Sequence, residues 1–174
     1  MESSMKSKKI SKSVQAKKVP ELVITRVFDA PRELVWRFWT ESERAMRWWG
    51  PKDFTSPFSK IDFRVGGIYL LCMRSPDGKD YWSTGMYRKI VPLEKIVCTD
   101  SFADERGNIV QASYYGMNSD WPLELLVTIT FEDYEGMTKL TLHHSGFPSE
   151  MDSEMAKDGW STSLDKLAEE LAKG

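Results

Sequence analysis

The chain has 174 residues, of which 41% are hydrophobic and 29% charged, and its formal net charge is −2. This length fits one domain, and no stretch approaches the roughly 20 consecutive apolar residues that span a bilayer, so a membrane-inserted protein is not expected. The charge is uneven: residues 1–20 contain six lysines and one glutamate, a local balance of +5, which leaves −2 − 5 = −7 on the remainder.

The N-terminal segment is rich in lysine and serine and has no apolar periodicity. Such a composition is typical of a disordered tail, and the segment lacks the apolar core of a secretory signal. We therefore expect a disordered basic tail at residues 1–20, a single domain over residues 21–174 and a cytoplasmic protein. Because the remainder is acidic, we expect no nucleic-acid partner.

The first predicted elements are a strand and two short helices. Residues 22–28 are rich in branched side chains and predict the strand. A helix is predicted to start at Pro31, since proline in the first turn loses no hydrogen bond. Its buried stripe consists of Leu34, Val35, Phe38 and Trp39. Thr40 and Glu43 have the spacing of a capping box, which predicts a second short helix beginning at Glu41.

Six further strands are predicted before the last helix, at residues 54–63, 68–74, 81–91, 95–102, 123–131 and 138–144. Turn signals separate them, among them Gly66-Gly67, Pro76-Asp77-Gly78 and Glu135-Gly136. Most connections are short, which favours antiparallel neighbours. Residues 104–120 form a longer connection, of a length typical of a lid or binding loop.

The C-terminal segment predicts one long amphipathic helix. Ser149 and Asp152 offer a capping box for its start. One helical face is formed by apolar residues at steps of four, four, three and four, namely Ala156, Trp160, Leu164, Leu167 and Leu171. A curved sheet that packs on such a helix tends to leave an internal space. We therefore expect the functional site of the protein to lie in that space.

Five motifs in order carry a family resemblance: Phe28-Asp29-Ala30-Pro31 with Val35-Trp36, Trp48-Trp49-Gly50-Pro51, Asp62-Phe63-Arg64-Val65-Gly66-Gly67, Asp77-Gly78, and Gly159-Trp160 with Leu164 and Leu167. Over residues 21–171 the chain resembles the activator of heat shock protein 90 ATPase homologue family, within the START-like, helix-grip (SRPBCC) superfamily. The resemblance implies an α+β helix-grip fold, in which a curved antiparallel sheet of six or seven strands wraps around the C-terminal helix. It also implies a deep hydrophobic cavity, as in relatives that bind lipids, polyketides and plant hormones.

Candidate ligand-binding residues are aromatic and apolar side chains that this architecture could direct inward: Trp36, Trp39, Tyr69, Met73, Trp82, Met86, Tyr114, Tyr115, Met117, Trp160 and Leu164. A selective ligand also needs polar anchors, for which the nearest candidates are Arg74, Thr84, Tyr87 and Arg88. Which of these residues face the cavity depends on strand register, because a one-residue slip reverses every assignment.

Metal and cofactor chemistry has no sequence signal. No P-loop, dinucleotide fingerprint or HExxH helix is present, so we expect no cofactor. His143 and His144 are neighbours on a strand and should project to opposite faces, which does not suit one metal ion. Cys72 and Cys98 are expected to be buried free thiols.

Three functions remain open at this stage. The first is binding of a small hydrophobic molecule, such as a lipid or polyketide-like metabolite. The second is a partner role as a co-chaperone of heat shock protein 90; the family's co-chaperones carry an additional N-terminal domain, whereas about twenty residues precede the matching region here. The third is a cavity enzyme of the cyclase type, with Asp62, Asp100, Glu124 and His143 as acid–base candidates, although no catalytic residue is assigned. Homodimerisation through a strand edge or the aromatic loop is also left open.

Overall fold

The computed structural model describes residues 19–174, so most of the predicted basic tail lies outside the described residues. The elements in chain order are β1 (Glu21–Phe28), α1 (Arg32–Thr40), α2 (Ser42–Ala45), β2 (Thr55–Ile61), β3 (Ile68–Arg74), β4 (Asp80–Val91), β5 (Lys95–Ala103), β6 (Leu125–Tyr134), β7 (Met137–Ser145) and α3 (Glu150–Lys173). A short 3₁₀ turn, Ala112–Tyr115, lies between β5 and β6. The predicted order of elements is confirmed.

The seven strands form one curled antiparallel sheet in the order β1-β7-β6-β5-β4-β3-β2. Each strand pairs with its sequence neighbour except β1, which returns to pair with β7 across the length of the chain. Two irregularities interrupt the register, one between Thr55 and Phe58 and one between Tyr87 and Lys89. Such offsets increase local twist and bend the sheet. The result is the half-barrel of a helix-grip fold.

One face of the sheet is apolar because side chains alternate along each strand. On β6 the residues Val127, Ile129 and Phe131 are buried, and on β7 the buried set includes Leu140 and Leu142. The register pairs Ile129 with Leu142 and Phe131 with Leu140, which places them on the same face. This concave face holds the hydrophobic core and receives α1 and α3.

Helix α3 begins as predicted. The Ser149 hydroxyl accepts a hydrogen bond from the backbone N–H of Asp152 at 3.1 Å, so the N-cap is formed. Along the helix the residues Leu164, Leu167 and Leu171 are buried. Their spacing of three and four keeps them on one face, and this face packs on the sheet.

The second predicted capping box is wrong. Helix α2 starts at Ser42, its N-cap is Glu41, and no side chain caps it. The Thr40 hydroxyl instead donates to the carbonyl of Trp36 at 3.0 Å, four residues earlier in α1. A threonine at the last turn of a helix has this backbone carbonyl within reach, so the hydroxyl is already used within α1.

The Gly66-Gly67 pair is explained by backbone geometry. Gly66 has φ = 83°, a conformation that favours glycine. A Cβ added to Gly67 would lie 2.0 Å from the carbonyl oxygen of Asp62, which leaves no room for any side chain. This family motif is therefore accounted for by the turn into β3.

Among residues 19–174, no helix is long and apolar enough to cross a bilayer.

Candidate functional site

A cavity of about 230 Å³ lies between the concave face of the sheet and the first half of α3, and it opens to solvent on one side. We call this region the cavity end. Its wall is mostly aromatic, with rings from separate elements and loops, namely Trp49, Tyr81, Phe102, Trp121, Phe147 and Trp160. The predicted internal space is therefore present, although it occupies only part of the interior.

The hollow exists because α3 presents small residues at this end. Ala156, Gly159 and Ser163 follow one another at steps of three and four and all border the cavity. Their side chains are too short to reach the sheet. A Cβ placed on Gly159 would meet no atom within 4 Å, so the space beside this position is open. Trp160 lies between these positions, borders the cavity and stacks on Trp39 with ring centroids 6.0 Å apart. Leu164, directly after Ser163, is fully buried.

The rest of the interior, between α1, α2 and the leucine half of α3, is filled, and we call it the packed end. Its α1 side chains Val35, Phe38 and Trp39 are buried, and Trp39 packs on Trp48 with ring centroids 4.7 Å apart. A smaller cavity of about 70 Å³ remains there, bordered by Trp39 and Tyr69 among others. The packed end therefore behaves as a conventional core.

A hydrogen-bonded chain lies between the two ends. The Nε1–H of Trp160 donates to Nδ1 of His144 at 3.1 Å. On the other side of the imidazole, Nε2 of His144 lies 3.1 Å from Oδ2 of Asp100, but the alignment is poor and Nε2 lacks a well-formed hydrogen bond. Because Nδ1 is an acceptor, the proton of the neutral ring is assigned to Nε2. His144 thus points an N–H towards Asp100 at the cavity wall.

Asp100 borders both the large and the small cavity. Its side chain is 28% exposed, and among the described residues that border the large cavity it is the single Asp, Glu, Lys or Arg. The cavity wall also contains Trp121, whose buried Nε1–H has no hydrogen-bond partner among the described residues. The cavity is therefore apolar with a few concentrated polar groups, which is the composition of small-molecule sites.

Titratable groups of the packed end are held in their neutral forms by burial. Desolvation, reinforced by the nearby Asp100 carboxylate, raises the pKa of the Cys98 thiol to about 12. The same two causes raise the pKa of Tyr69 well above its ordinary value, while its hydroxyl donates to the carbonyl of Thr99 at 2.7 Å. Both groups are buried and uncharged, so Tyr69 serves the core.

Residues 50–54, which we call the rim of the cavity, are hydrogen-bonded to α3 through one lysine. The Lys166 ammonium donates to the backbone carbonyls of Gly50 at 2.9 Å and Phe54 at 3.0 Å, and the Thr162 hydroxyl accepts from the N–H of Lys52 at 3.0 Å. Burial lowers the pKa of Lys166, partly offset by nearby carboxylates. The connection between α2 and β2, which borders the cavity through its first residues, is thus held in place by α3.

The long connection predicted at residues 104–120 packs beside the cavity. The Tyr115 hydroxyl accepts from the N–H of Trp82 at 2.9 Å and donates to the carbonyl of Ala103. Its ring lies 5.3 Å from that of Tyr81 and 5.8 Å from that of Phe102, both of which border the cavity. Tyr115 therefore supports the wall from behind.

The predicted ligand residues lie in different parts of the fold. Met73, Trp82 and Trp160 border the large cavity. Trp39, Tyr69 and Leu164 belong to the packed core. Trp36 packs against that core, with its ring 5.1 Å from that of Phe131.

The register of β4 determines how Trp82 and Met86 are placed relative to the cavity. The register pairs Tyr69 with Gly85 and Met73 with Tyr81, so the inward positions of β4 include Tyr81 and Ser83. Trp82 alternates with them, and its ring packs on Phe58 at 5.4 Å, although Trp82 still borders the cavity. Three further candidates are not part of the cavity wall, namely Met86, Tyr114 and Met117; Met86 and Tyr114 are exposed.

The predicted polar anchors are not at the cavity either. Arg74 and Arg88 are exposed and form ion pairs with Asp80 and Glu124. Thr84 and Tyr87 are buried, and the Thr84 hydroxyl donates to the carbonyl of Tyr69 at 2.7 Å.

Of the four acid–base candidates, Asp100 alone borders the cavity. Asp62 pairs with Arg64, and Glu124 with Arg88, both near the surface. His143 lies 3.1 Å from Glu21 on the outer side, while its neighbour His144 faces inward, as the predicted opposite orientation of the two histidines requires.

Sequence reasoning missed most of the cavity wall, including all of its aromatic residues other than Trp82 and Trp160, namely Trp49, Tyr81, Phe102, Trp121, His144 and Phe147. A partial signal for one of them was present. Tyr87 is one of the four candidate anchors, and a strand repeat of two from Tyr87 leads to Gly85, Ser83 and Tyr81. Thr84 and Arg88 are candidates from the alternate positions, so the sequence does not decide between the two faces. Met86 lies on the alternate face and is exposed, whereas Trp82 still borders the cavity.

Comparison with known proteins agrees with this architecture. Among solved structures, a protein of Chromobacterium violaceum superposes with a TM-score of 0.72 at 27% identity, covering 87% of this chain and 96% of that one. A protein of Arthrobacter aurescens superposes with a TM-score of 0.75 at 24% identity, covering 90% and 88%. The AHSA1 protein of Silicibacter pomeroyi gives 0.71 at 24% identity, covering 87% and 97%.

None of the curated proteins matches the sequence. The family described as activator of Hsp90 ATPase homolog 1-like protein matches residues 29–172. This range runs from the start of α1 almost to the end of α3 and includes both sides of the cavity. The chain therefore belongs to the family of activator of Hsp90 ATPase homolog 1-like proteins.

Proposed function

We propose that the protein binds a small apolar molecule of about two fused rings in the cavity end. The observation that carries this proposal is the hollow beside Ala156, Gly159 and Ser163, which is walled by aromatic rings and open on one side. A core formed for stability alone would fill this volume, because voids forfeit contacts. The wall instead combines rigid rings with few polar atoms.

The volume supports a small ligand. An engineered apolar cavity of about 150 Å³ binds benzene, so about 230 Å³ leaves room for a second ring. Pockets for drug-sized ligands begin at about 300 Å³. A compact aromatic metabolite is therefore favoured over a long acyl chain.

The expected affinity is moderate. For a ligand of about 12 non-hydrogen atoms, a contribution of roughly 0.5 kcal/mol per atom lies between the limits for very small and drug-sized ligands and gives about 6 kcal/mol. This corresponds to a Kd of tens of micromolar. Tighter binding needs the polar groups of the wall.

The test uses 2-naphthylmethanol, a neutral two-ring probe, with isothermal titration calorimetry and thermal unfolding. We expect saturable binding with one site and a rise in Tm. Gly159→Leu places a large side chain in the hollow and should abolish binding. Gly159→Ala is the matched control and should keep it, because a Cβ there meets no atom within 4 Å. Absence of binding to the unaltered protein, or equal binding by both variants, would contradict the proposal.

The co-chaperone hypothesis is supported by the family description alone. None of the contacts among residues 19–174 favours it over ligand binding.

A further inference from the structure

We infer that the cavity selects ligands by charge, accepting an amine or another hydrogen-bond-donating group and disfavouring carboxylates and phosphates. This inference rests on the proposed function and names the polar end of the ligand. The group that sets the preference is the Asp100 carboxylate, acting together with the aromatic wall.

The charge of the wall is the first argument. Among the described residues that border the cavity, Asp100 is the single one that is ordinarily charged at neutral pH. The candidate arginines lie elsewhere, engaged with Asp80 and Glu124 at the surface. The lysines nearest to the cavity, Lys79 and Lys166, are not among the residues that border it. An anionic ligand would therefore meet a carboxylate and no positively charged lining residue in a partly desolvated space, where such repulsion is weakly screened.

The state of His144 is the second argument. Its Nδ1 accepts the Trp160 N–H at 3.1 Å, which is incompatible with a proton on that nitrogen. The ring is then neutral and cannot supply the positive charge that an anionic ligand would need. Its Nε2–H faces one carboxylate oxygen of Asp100 at 3.1 Å without forming a well-aligned hydrogen bond.

The unused hydrogen-bonding capacity of Asp100 is the third argument. A carboxylate has about four acceptor positions. Among the described residues, the Asp100 carboxylate is approached by His144 Nε2 at 3.1 Å without a well-formed hydrogen bond, and by the Tyr69 hydroxyl, which donates to the carbonyl of Thr99. The Asp100 side chain is largely buried, at 28% exposure. A ligand ammonium or hydroxyl would satisfy positions that the protein leaves open.

The aromatic wall favours the same ligands. Trp49, Trp121 and Trp160 present indole rings around the space, and a cation within about 6 Å of such a ring is attracted to its face. One cation already binds to the wall in this way, since the Lys79 ammonium lies 5.0 Å from the Tyr81 ring. Wall and carboxylate thus act in the same direction on a ligand amine.

The experiment compares three probes with one apolar body: 2-naphthylmethylamine, 2-naphthylmethanol and 2-naphthoate, titrated at neutral pH. We expect the amine to bind at least tenfold more tightly than the carboxylate, with the alcohol between them. Asp100→Asn keeps the shape of the side chain and removes its charge, and it should reduce the amine-to-carboxylate ratio to about threefold or less while leaving the alcohol affinity within about threefold.

Asp158→Asn is the matched control, since it removes the same charge from an exposed position of α3 next to the cavity. It should leave the ratio unchanged. Lys79→Ala tests the lysine on the Tyr81 ring and should increase the preference for the amine slightly.

The outcomes separate the two proposals. If the alcohol binds but the carboxylate binds as tightly as the amine, the charge inference is wrong and the proposed function stands. If Asp158→Asn changes the ratio as much as Asp100→Asn, the general charge of the protein sets the preference and the inference is also wrong. If none of the three probes binds, both proposals fail.

Discussion

The two ends of the interior share one sheet and one helix but differ in the size of the side chains that α3 contributes. At the packed end α3 contributes Leu164, Leu167 and Leu171, all buried. At the cavity end it contributes Ala156 and Gly159, and a space of about 230 Å³ remains. The comparison teaches that the size of the side chains along one helix decides where the interior is filled: the small residues Ala156, Gly159 and Ser163 border the cavity, and leucines fill the other end.

The largest expected effect is the difference in destabilisation when a leucine is replaced by alanine at each of the two ends. Leu164→Ala removes a fully buried side chain and should lower the free energy of unfolding by about 3–4 kcal/mol. Leu125→Ala makes the same change at the cavity wall and should cost about 2 kcal/mol, because Leu125 already borders empty space and loses fewer contacts. Urea denaturation measures both. Equal decreases in the free energy of unfolding would show that the cavity is not empty or that the packed end is poorly packed.

The second prediction concerns pH. The Cys98 thiol has an ordinary pKa of 9.0, which burial raises to about 12 in the folded protein. Above pH 9 the unfolded chain loses this proton while the folded protein keeps it, so stability falls as pH rises from 9 towards 12. At pH 10 this group should lower the free energy of unfolding by about 1 kcal/mol.

Urea midpoints at pH 8 and pH 10 test this, and Cys98→Ala should show a smaller decrease between the two values. The thiol should also react slowly with a disulfide reagent at pH 8. Rapid reaction would mean that water reaches the packed end, which would remove the contrast between the two regions.

The third prediction sharpens the role of the rim. Lys166→Met removes the ammonium that binds the carbonyls of Gly50 and Phe54. Loss of the charged hydrogen bonds destabilises the folded protein, but removal of a partly buried charge offsets part of this destabilisation. We therefore expect the free energy of unfolding to fall by about 1 kcal/mol. Amide hydrogen exchange should accelerate at residues 50–54 in particular. Lys157→Met, at an exposed position of the same helix, is the control and should leave this exchange unchanged.

The smallest effect concerns Gly159. Glycine inside a helix costs roughly 0.5–1 kcal/mol relative to alanine, and a Cβ there has no neighbour within 4 Å. Gly159→Ala should therefore raise the free energy of unfolding by about that amount, measured by calorimetry at one pH. A decrease would indicate that the space beside Gly159 is filled in solution.

Much of the fold was readable from the sequence for local reasons. The capping box at Ser149 is formed, and the apolar repeat ending at Leu171 marks the buried face of α3. The strands between 54 and 144 were recognised because turn residues separate them. Thr40 was misread, since its hydroxyl can bind within its own helix as well as cap the next one.

The site was less readable because it depends on register. On β4, Tyr81 and Ser83 border the cavity without having been candidates, the candidate Trp82 also borders it, and the candidate Met86 is exposed. Composition favours large side chains such as methionine as ligand contacts, but alternation decides which side they occupy. His144 was missed for a related reason: its hydrogen bond to Trp160 joins a strand to a helix 16 residues later, and nothing local indicates it.

Among residues 19–174, β2 is an edge strand of the sheet, and this edge has a consequence for concentrated protein solutions. Pro57 lies within the offset between Thr55 and Phe58 and has no N–H to offer. An added strand would find a regular ladder over four residues only, from Phe58 to Ile61. A second copy of the protein could therefore pair with only a short part of the β2 edge. Fibre growth by addition of strands at β2 is thus disfavoured even at high protein concentration.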